Sequence, residues 1–250
     1  MSIAFVFPGQ GAQTIGMGRD LAEAYPEARA VFQEVDDALG EKLSDLIWEG
    51  DIETLTLTQN AQPALMATSM AAMAALKAEG IEVGKAAYVA GHSLGEYSAL
   101  CAAGALDLRD TALLLRLRGN AMQNAVSVGA GAMAALLGAS VETAEEAARA
   151  GAKAGICQIA NDNATGQIVL SGEKAAVEAA AEAAREMGVK KAVMLPVSAP
   201  FHCDMMAPAA DAMAEALKDA DIKAPVVPVV NNVTARPTTD PDQIRADLVT

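Results

Sequence analysis

The sequence predicts an α/β protein in which alanine-rich helices pack against short strands, and three observations lead to that prediction. Hydrophobic residues make up 52% of the 250 residues but aromatic residues only 3%, a balance that favours helices rich in alanine. Short apolar runs alternate with segments of helical periodicity. Glycines and prolines separate these segments. A chain of this length can bury one large core, or one core and that of a smaller inserted domain.

The charge and the cysteines argue against several classes of protein. The formal net charge is −14 at pH 7, and nucleic-acid binding needs clustered lysines and arginines that the chain lacks, so we expect no nucleic-acid partner. Cys101, Cys157 and Cys203 are widely spaced without a CxxC pair, which favours neither a disulfide framework nor a zinc site and fits the reducing cytoplasm. With no basic leader and no apolar run of membrane-spanning length, we expect neither export nor membrane attachment.

The first 126 residues read as part of a large domain. Apolar runs over 3–7 and 86–90 predict strands, which end at Pro8-Gly9 and at a glycine. Helical spacing predicts helices over 21–39, 63–79, 94–103 and 107–126. Ser93 therefore lies in a predicted turn between a strand and a helix.

Short elements of a different rhythm follow and predict an inserted domain over 127–198. Their order β-α-β-β-α-β is that of a ferredoxin-like unit. The six elements are expected over 132–137, 141–150, 156–160, 167–170, 174–187 and 192–197. The chain then returns to the large domain with a helix over 207–220, a strand over 226–230 and a last helical stretch. We therefore assign 1–126 and 199–250 to the large domain.

The sequence ends inside a predicted helix. Asp240-Pro241-Asp242 is a favourable helix start, and an apolar stripe continues to the last turn. Thr250 follows without a capping residue. On this ground we expect the C-terminal part of the large domain to be truncated.

The segment Gly91-His92-Ser93-Leu94-Gly95 is the candidate catalytic motif. Small residues on both sides of a serine permit a sharp turn that presents its hydroxyl, and the N-terminus of the following helix favours developing negative charge. The motif therefore predicts a serine nucleophile that forms an acyl ester. Because GxSxG is short, a serine that merely caps the helix stays an alternative.

A serine nucleophile needs a base, and the chain contains two histidines. His92 is adjacent to Ser93, and adjacent side chains at the end of a strand point to opposite faces, so we expect His92 to make a structural hydrogen bond. His202 lies in a loop directly after a predicted strand, where it could reach the same sheet edge as Ser93. As the remaining histidine beside a serine turn, His202 is predicted to be the base. A structural role, which is commoner for a histidine in a loop, stays the alternative.

Two backbone amides are candidates for an oxyanion hole. The residue after the nucleophile, here Leu94, normally supplies one donor. The loop Pro8-Gly9-Gln10-Gly11 could supply the second, because its glycines let the backbone approach a ligand closely. A tight turn without ligand contact is the alternative for that loop.

Arg118 lies on the apolar stripe of the helix predicted over 107–126, as does Met122. A buried cation requires a partner, and no acidic residue lies three or four positions away. A substrate carboxylate bound in bidentate fashion is a natural counter-ion. A distant Asp or Glu, or a side chain that reaches solvent, stays the alternative. Arg116 faces elsewhere and is expected to be solvated.

Four separated motifs carry a resemblance to a known family. They are Phe7-Pro8-Gly9-Gln10-Gly11, Gly91-His92-Ser93-Leu94-Gly95-Glu96-Tyr97-Ser98-Ala99, Arg118-Gly119 and Ala199-Pro200-Phe201-His202. In this order they resemble the malonyl-CoA:acyl-carrier-protein transacylases, an acyltransferase family of fatty acid synthesis, from Ile3 to the last residue. GxSxG alone would also fit lipases and esterases.

The resemblance implies a fold and a set of roles. The fold is an α/β-hydrolase-like large domain with an inserted ferredoxin-like small domain. Ser93 would be the acylated nucleophile and His202 its base, with oxyanion-hole amides from Gln10 and Leu94. Arg118 would bind the malonyl carboxylate. The resemblance also implies that Phe201, directly before the histidine, favours malonyl, because related acyltransferase domains have an aromatic residue there for malonyl and often a serine for methylmalonyl. The other expected substrate contacts are Met122, Asn161, Asn163 and Asn231.

The resemblance also implies the substrates, malonyl-CoA and phosphopantetheinylated acyl carrier protein, with no metal or redox cofactor. We expect the chain to act as a monomer. The family continues beyond Thr250 with a glutamine whose backbone carbonyl orients the catalytic histidine. Two alternatives stay open. One is a serine hydrolase or thioesterase that uses the same nucleophile and base but admits water. The other, because the C-terminal part is missing, is a non-catalytic scaffold that docks carrier protein.

Overall fold

The computed structural model describes residues 3–127, 129–197 and 199–250, so Ser198, the last residue of the predicted insertion, lies outside the described residues. The chain divides into two compact units. One unit contains the residues up to Asn120 together with Ala212–Thr250. The other unit contains Ala121–Asp211. Together the two units confirm the predicted mixture of helices and strands.

Helices alternate with short strands along the described chain. The helices are α1 Arg19–Ala24, α2 Pro26–Leu39, α3 Leu43–Glu49, α4 Ile52–Thr56, α5 Thr58–Ala78, α6 Leu94–Ala102, α7 Leu108–Asn124, α8 Val141–Gly151, α9 Lys174–Glu186, α10 Ala207–Lys218 and α11 Pro241–Asp247. The strands are β1 Ala4–Phe7, β2 Tyr88–Gly91, β3 Gly131–Leu137, β4 Cys157–Ala164, β5 Gln167–Glu173, β6 Lys191–Met194, β7 Val229–Val230 and β8 Pro237–Thr238.

Three predictions of helix extent were wrong. The helix predicted over 63–79 begins earlier, at Thr58, and contains Pro63. The helix predicted over 21–39 is two helices, because Tyr25 is extended at φ −123° and ψ 115° and Pro26 begins α2. A residue before proline avoids the helical region, and proline fits the first position of a helix. The last helix ends at Asp247, three residues before the end of the sequence.

The first unit is built on a sheet with the strand order β1-β2-β7-β8. The first three strands are parallel, and β8 pairs antiparallel with β7. Phe7, Val89 and Val229 are buried in the main hydrophobic core of this unit. Val6 and Tyr88, whose side chains point to the opposite face, are 74% and 45% exposed. The core of this unit therefore lies on one side of the sheet.

The parallel strands bring three loops to one edge of this sheet. Phe7 pairs with Gly91, and Ala90 pairs with Val230, so β1, β2 and β7 end at the same level. The carboxyl edge of such a sheet is where ligands bind in open α/β folds. The loops after β1, β2 and β7 carry Gln10, Ser93 and Asn232 respectively.

The second unit follows the order β3-α8-β4-β5-α9-β6. Its strands form an antiparallel sheet in the order β4-β5-β3-β6. Alanines of α8 and α9 fill the core against one face of this sheet. The two helices approach closely at Gly151, where a Cβ would lie 2.3 Å from the carbonyl oxygen of Ala176. Small residues thus set the spacing of the helix layer.

None of the helices in the described ranges is long and apolar enough to cross a bilayer.

Candidate active site

Ser93 lies in a strained turn between β2 and α6. Its backbone has φ 52° and ψ −110°, on the positive side of φ that residues other than glycine rarely occupy. Such strain persists where the surrounding structure holds it in place, often at functional sites. The hydroxyl does not cap α6, so the capping alternative for this serine is not supported.

The two glycines of the motif allow a close approach of backbone segments. A Cβ at Gly91 would lie 1.9 Å from the carbonyl oxygen of Gly95. A Cβ at Gly95 would lie 2.5 Å from the carbonyl oxygen of Phe7. Both positions need glycine because the neighbouring atoms are backbone atoms that have little freedom to move. The start of α6 is therefore pressed against β2 and the end of β1.

The candidate oxyanion donors lie at the same edge of the sheet. Leu94 is the first residue of α6, and the first amides of a helix have no partner within the helix. Gln10 follows Gly9, where a Cβ would lie 2.5 Å from Nδ1 of His92. The Gln10 side chain donates to the carbonyl oxygen of Thr56 at 3.3 Å, which directs that side chain toward α4.

Arg118 extends from α7 to the side chain of Ser93. Its Nη2 donates to Ser93 Oγ at 3.1 Å, and its Nη1 donates to Gln62 Oε1 at 2.7 Å. The guanidinium carbon lies 5.8 Å from the ring centroid of Tyr97, within the range of a cation–π contact. Three elements therefore fix the cation beside the hydroxyl.

The position of Arg118 depends on close packing of α7 against α5. A Cβ at Gly119 would lie 2.5 Å from Cα of Gln59 and 2.8 Å from the carbonyl oxygen of Thr58. Gln62, one turn along α5, donates through Nε2 to Thr58 Oγ1 at 2.9 Å. That bond turns the amide oxygen of Gln62 toward Arg118. Gly119 thus permits the close contact between α7 and α5, and this contact positions the adjacent Arg118.

A carboxyl group lies close to this cation. Glu96 is 5% exposed, and burial raises its pKa to about 7, with a smaller contribution from Asp247, while Arg118 acts in the opposite direction. Burial lowers the pKa of Arg118, and Tyr97 and Glu96 oppose that change. Glu96 is thus a distant acid that affects the pKa of Arg118 through its charge, whereas the hydrogen bonds of the Arg118 guanidinium go to Ser93 and Gln62.

Asn232 is a residue that the sequence analysis missed. Its Oδ1 accepts a hydrogen bond from the Ser93 backbone N–H at 2.6 Å, and its Nδ2 donates to the carbonyl oxygen of Gly91 at 2.6 Å. Its backbone N–H donates to Glu96 Oε2 at 2.9 Å. The available signal was an Asn-Asn pair at the end of an apolar strand, which left open which of the two faces the serine.

Asn231, named as a substrate contact, lies buried beneath this turn. Its Nδ2 donates to Asp247 Oδ2 at 2.6 Å. Its Oδ1 accepts from the backbone N–H and the hydroxyl of Thr234, both at 2.8 Å. The Asn231 amide therefore ties the turn after β7 to α11.

His202 lies in the second unit, in the segment between β6 and α10. It has φ 58°, again in the left-handed region. The next residues are anchored, because Cys203 Sγ donates to the Pro200 carbonyl oxygen at 3.2 Å and the Asp204 N–H donates to Gln158 Oε1 at 2.7 Å. This loop is therefore held by contacts on both sides of the histidine.

The other predicted contacts in the second unit fall into two groups. Phe201 and Met122 belong to one apolar cluster, in which Phe201 is 8% exposed. Asn161 and Asn163 lie on β4, where the pairing with β5 shifts register between Ile159 and Asn161. Asn161 is half-buried and Asn163 is exposed.

The expectation that Arg116 is solvated was wrong. Its Nη1 donates to the Gln59 carbonyl oxygen at 2.7 Å and to Asn60 Oδ1 at 2.6 Å. It also forms an ion pair with Glu41. The partners lie far away in sequence, so helical spacing could not reveal them.

In the ranges that the structure describes, no group of three or more His, Cys, Asp or Glu residues could hold a metal ion.

Comparison with known proteins gives concordant relatives. The family model described as acyl transferase domain matches residues 4–247. The malonyl CoA-acyl carrier protein transacylase of Bacillus subtilis strain 168 is 49% identical over 248 residues, which cover 99% of this chain and 77% of that protein. The enzyme of the same name from Escherichia coli K12 is 46% identical and is covered to 79%.

Solved structures give the same result. The acyl-carrier-protein S-malonyltransferase of Bartonella henselae is 58% identical with a TM-score of 0.97, over 100% of this chain and 80% of that chain. A malonyl-transacylase solved in complex with a type II PKS acyl-carrier protein is 42% identical with a TM-score of 0.95, over 100% of this chain and 80% of that one.

Proposed function

The chain belongs to the acyl transferase domain family, and on that premise we propose that Ser93 carries the acyl group during its reaction. The chain transfers a malonyl group from malonyl-CoA to the phosphopantetheine thiol of acyl carrier protein and so supplies fatty acid synthesis. The observation that carries the proposed site is the 3.1 Å contact between Arg118 Nη2 and Ser93 Oγ. A hydrolase of neutral esters needs no buried cation beside its serine, because its substrate carries no carboxylate to bind.

In the first half-reaction, Ser93 Oγ attacks the thioester carbonyl carbon of malonyl-CoA. A C–O bond forms, the C–S bond breaks, and His202 takes the serine proton and delivers it to the departing CoA sulfur. The amides of Gln10 and Leu94 stabilise the oxyanion of the tetrahedral intermediate. Arg118 pairs with the free carboxylate of the malonyl group, which fixes the acyl chain at the nucleophile.

In the second half-reaction, the phosphopantetheine thiol of the carrier protein attacks the Ser93 ester. His202 takes the thiol proton, a new C–S bond forms, and the ester C–O bond breaks with return of the proton to Ser93 Oγ. The acyl-serine must outlast the exchange of CoA for carrier protein, so water has to be excluded from it. Phe201, Met122, Asn161 and Asn163 are proposed to line the acyl site.

Several finer assignments belong with this proposal. The parallel strands with the serine turn support an α/β-hydrolase-like large domain, and the order β-α-β-β-α-β supports a ferredoxin-like insertion over about 127–198. Acyl carrier protein is the proposed partner, as for the relative solved with one. The thioester is already an activated acyl donor, so the chemistry requires no metal or redox cofactor. We assign the chain to the cytoplasm as a monomer.

The test is incubation of the chain with malonyl-CoA, followed by intact-mass measurement and peptide mapping. We expect one malonyl adduct on Ser93, absent in Ser93→Ala, that moves to holo acyl carrier protein when this is added. Rapid release of free malonate would instead indicate a hydrolase. Equal binding of carrier protein by both proteins, with no adduct on either, would indicate a scaffold.

A further inference from the structure

The turn that presents Ser93 is bridged by a single side chain. Asn232 Oδ1 accepts from the Ser93 N–H and Asn232 Nδ2 donates to the Gly91 carbonyl oxygen, both at 2.6 Å. These backbone groups lie on either side of His92, so the side-chain amide of Asn232 spans the bend of the chain. An amide suits this task because it offers an acceptor and a donor on the same plane.

The bend needs an external support. Ser93 has φ 52° and ψ −110°, a conformation that local sterics disfavour for a residue with a Cβ. Backbone strain of this kind persists only when surrounding contacts over-determine it. The two Asn232 bonds are such contacts, and they act on the backbone of the nucleophile itself.

Asn232 is in turn held in place by Glu96 on α6, the helix that follows Ser93. The Asn232 N–H donates to Glu96 Oε2 at 2.9 Å, and the Glu96 N–H donates to the Ser93 carbonyl oxygen at 3.0 Å. With the Ser93 N–H bond to Asn232, these contacts close a ring of three residues. Asn231, bonded to the buried Asp247, anchors the adjoining backbone. The support for the turn is therefore a small rigid network.

We propose that Asn232 is a positioning residue for acyl transfer, which holds the Ser93 turn so that the hydroxyl and the Leu94 N–H both face the acyl group. This inference rests on the proposed role of Ser93. The side chain of Asn232 bonds to backbone groups of Ser93 and Gly91, so it acts on the backbone of the nucleophile. Its effect is transmitted through the orientation of the nucleophile.

The proposal is tested by single-turnover acylation with saturating malonyl-CoA. We expect Asn232→Ala to lower the acylation rate constant by roughly tenfold to a hundredfold, the range that small errors of position produce. The amplitude of adduct on Ser93 should stay close to that of the unsubstituted chain, and so should the KM for malonyl-CoA measured in steady-state transfer. Val233→Ala, at the exposed next position, is the matched control and should react at the unsubstituted rate.

Amplitude and rate separate positioning from folding. A variant that is partly unfolded loses amplitude, while its folded fraction reacts at the normal rate. Asn232→Asp is the second variant, since it keeps the shape and the acceptor but sets an oxygen against the Gly91 carbonyl oxygen. We expect a slower rate constant for it as well, at full amplitude.

Two results would overturn the proposal. Asn232→Ala and Asn232→Asp that acylate at the unsubstituted rate, or that lose only amplitude, would show that the bridge is structural. An unsubstituted chain that forms no adduct on Ser93 would remove the proposed function and this inference together. The first result leaves the proposed function intact, so the two failures are distinguishable.

Discussion

The guanidinium of Arg118 donates a hydrogen bond from Nη2 to the hydroxyl oxygen of Ser93, at 3.1 Å. A second bond from Nη1 to Gln62 and the ring of Tyr97 hold the cation in place. On the proposed role of Ser93 as nucleophile, a cation this close to it favours acyl groups with a negative charge at their far end. The contact therefore places the residue proposed to select the acyl group next to the residue proposed to react with it.

Arg118→Ala is expected to impair malonyl transfer more than acetyl transfer. The carboxylate of malonyl loses its counter-ion, whereas acetyl has no carboxylate to bind. A charge-assisted bond of this kind is worth about 1.5–3 kcal/mol, so kcat/KM for malonyl-CoA should fall by about tenfold or more relative to acetyl-CoA. The measurement is kcat/KM for both donors, with Arg118→Lys as the variant that retains charge without the bidentate fork. An equal loss for both donors would refute the carboxylate contact.

His202→Ala is expected to lower acylation by about two to four orders of magnitude, because general base catalysis contributes that much. The adduct on Ser93 should still form, but slowly, because the serine and the oxyanion donors remain. His92→Ala provides the comparison, since His92 packs against Gly9 beside the turn. A larger loss in His92→Ala than in His202→Ala would reverse the assignment of the base.

The sequence was informative where the signal is local. The turn at Ser93 follows from two apolar runs and two glycines within a few residues, and its strand and helix lie where they were predicted. The α/β class is also confirmed, because it was predicted from equally local signals, the alternation of short apolar runs with segments of helical spacing. The break at Tyr25 and Pro26 was also readable in principle, but the apolar spacing on both sides concealed it.

The partners of the charged residues could not be predicted. Spacing along α7 tests acids within one turn only, whereas Arg118 meets Gln62 and Tyr97 on other helices and Arg116 meets Glu41. After β7 the difficulty was to choose between two adjacent asparagines. Both follow the strand, and the conformation of the turn there, which the sequence does not reveal, decides which side chain reaches the Ser93 backbone.

Gly119→Ala is expected to destabilise the first unit and to slow malonyl transfer. The added Cβ would meet Gln59 Cα at 2.5 Å, and relief of that contact must move α7 away from α5. Overpacking of this kind lowers the free energy of unfolding by about 1–3 kcal/mol. The shift would also separate Arg118 from Gln62. Urea unfolding and acylation kinetics measure the two effects.

Gly84→Ala is the matched control for Gly119→Ala, because a Cβ at Gly84 meets no atom within 4 Å. We expect its stability to be unchanged or slightly higher, since alanine restricts the unfolded chain. If Gly119→Ala unfolds at the same urea concentration as Gly84→Ala, the close packing of α7 on α5 is not what holds Arg118.

Glu96→Gln is expected to become more stable relative to the unsubstituted chain as the pH rises from about 4.5 to about 7. Burial raises the pKa of Glu96 from 4.5 to about 7, so the folded state holds its proton after the unfolded chain has lost it. The free energy of unfolding therefore falls with rising pH across this interval and is unaffected below it. Glutamine does not titrate and escapes the loss, on the order of 3 kcal/mol.

Burial sets the upward direction of that pKa shift, and the groups that face Glu96 modify it. The N–H of Asn232 and the cation of Arg118 on α7 oppose the effect of burial, while Asp247 on α11 reinforces it. Unfolding by urea at pH 5 and pH 8 measures the difference, and Glu53→Gln, at an exposed position of α4, controls for the loss of one negative charge. A Glu96→Gln variant whose stability relative to the unsubstituted chain is the same at both pH values would show that Glu96 is already ionised in the folded protein. In that case its bond to Asn232 would be charge-assisted at neutral pH.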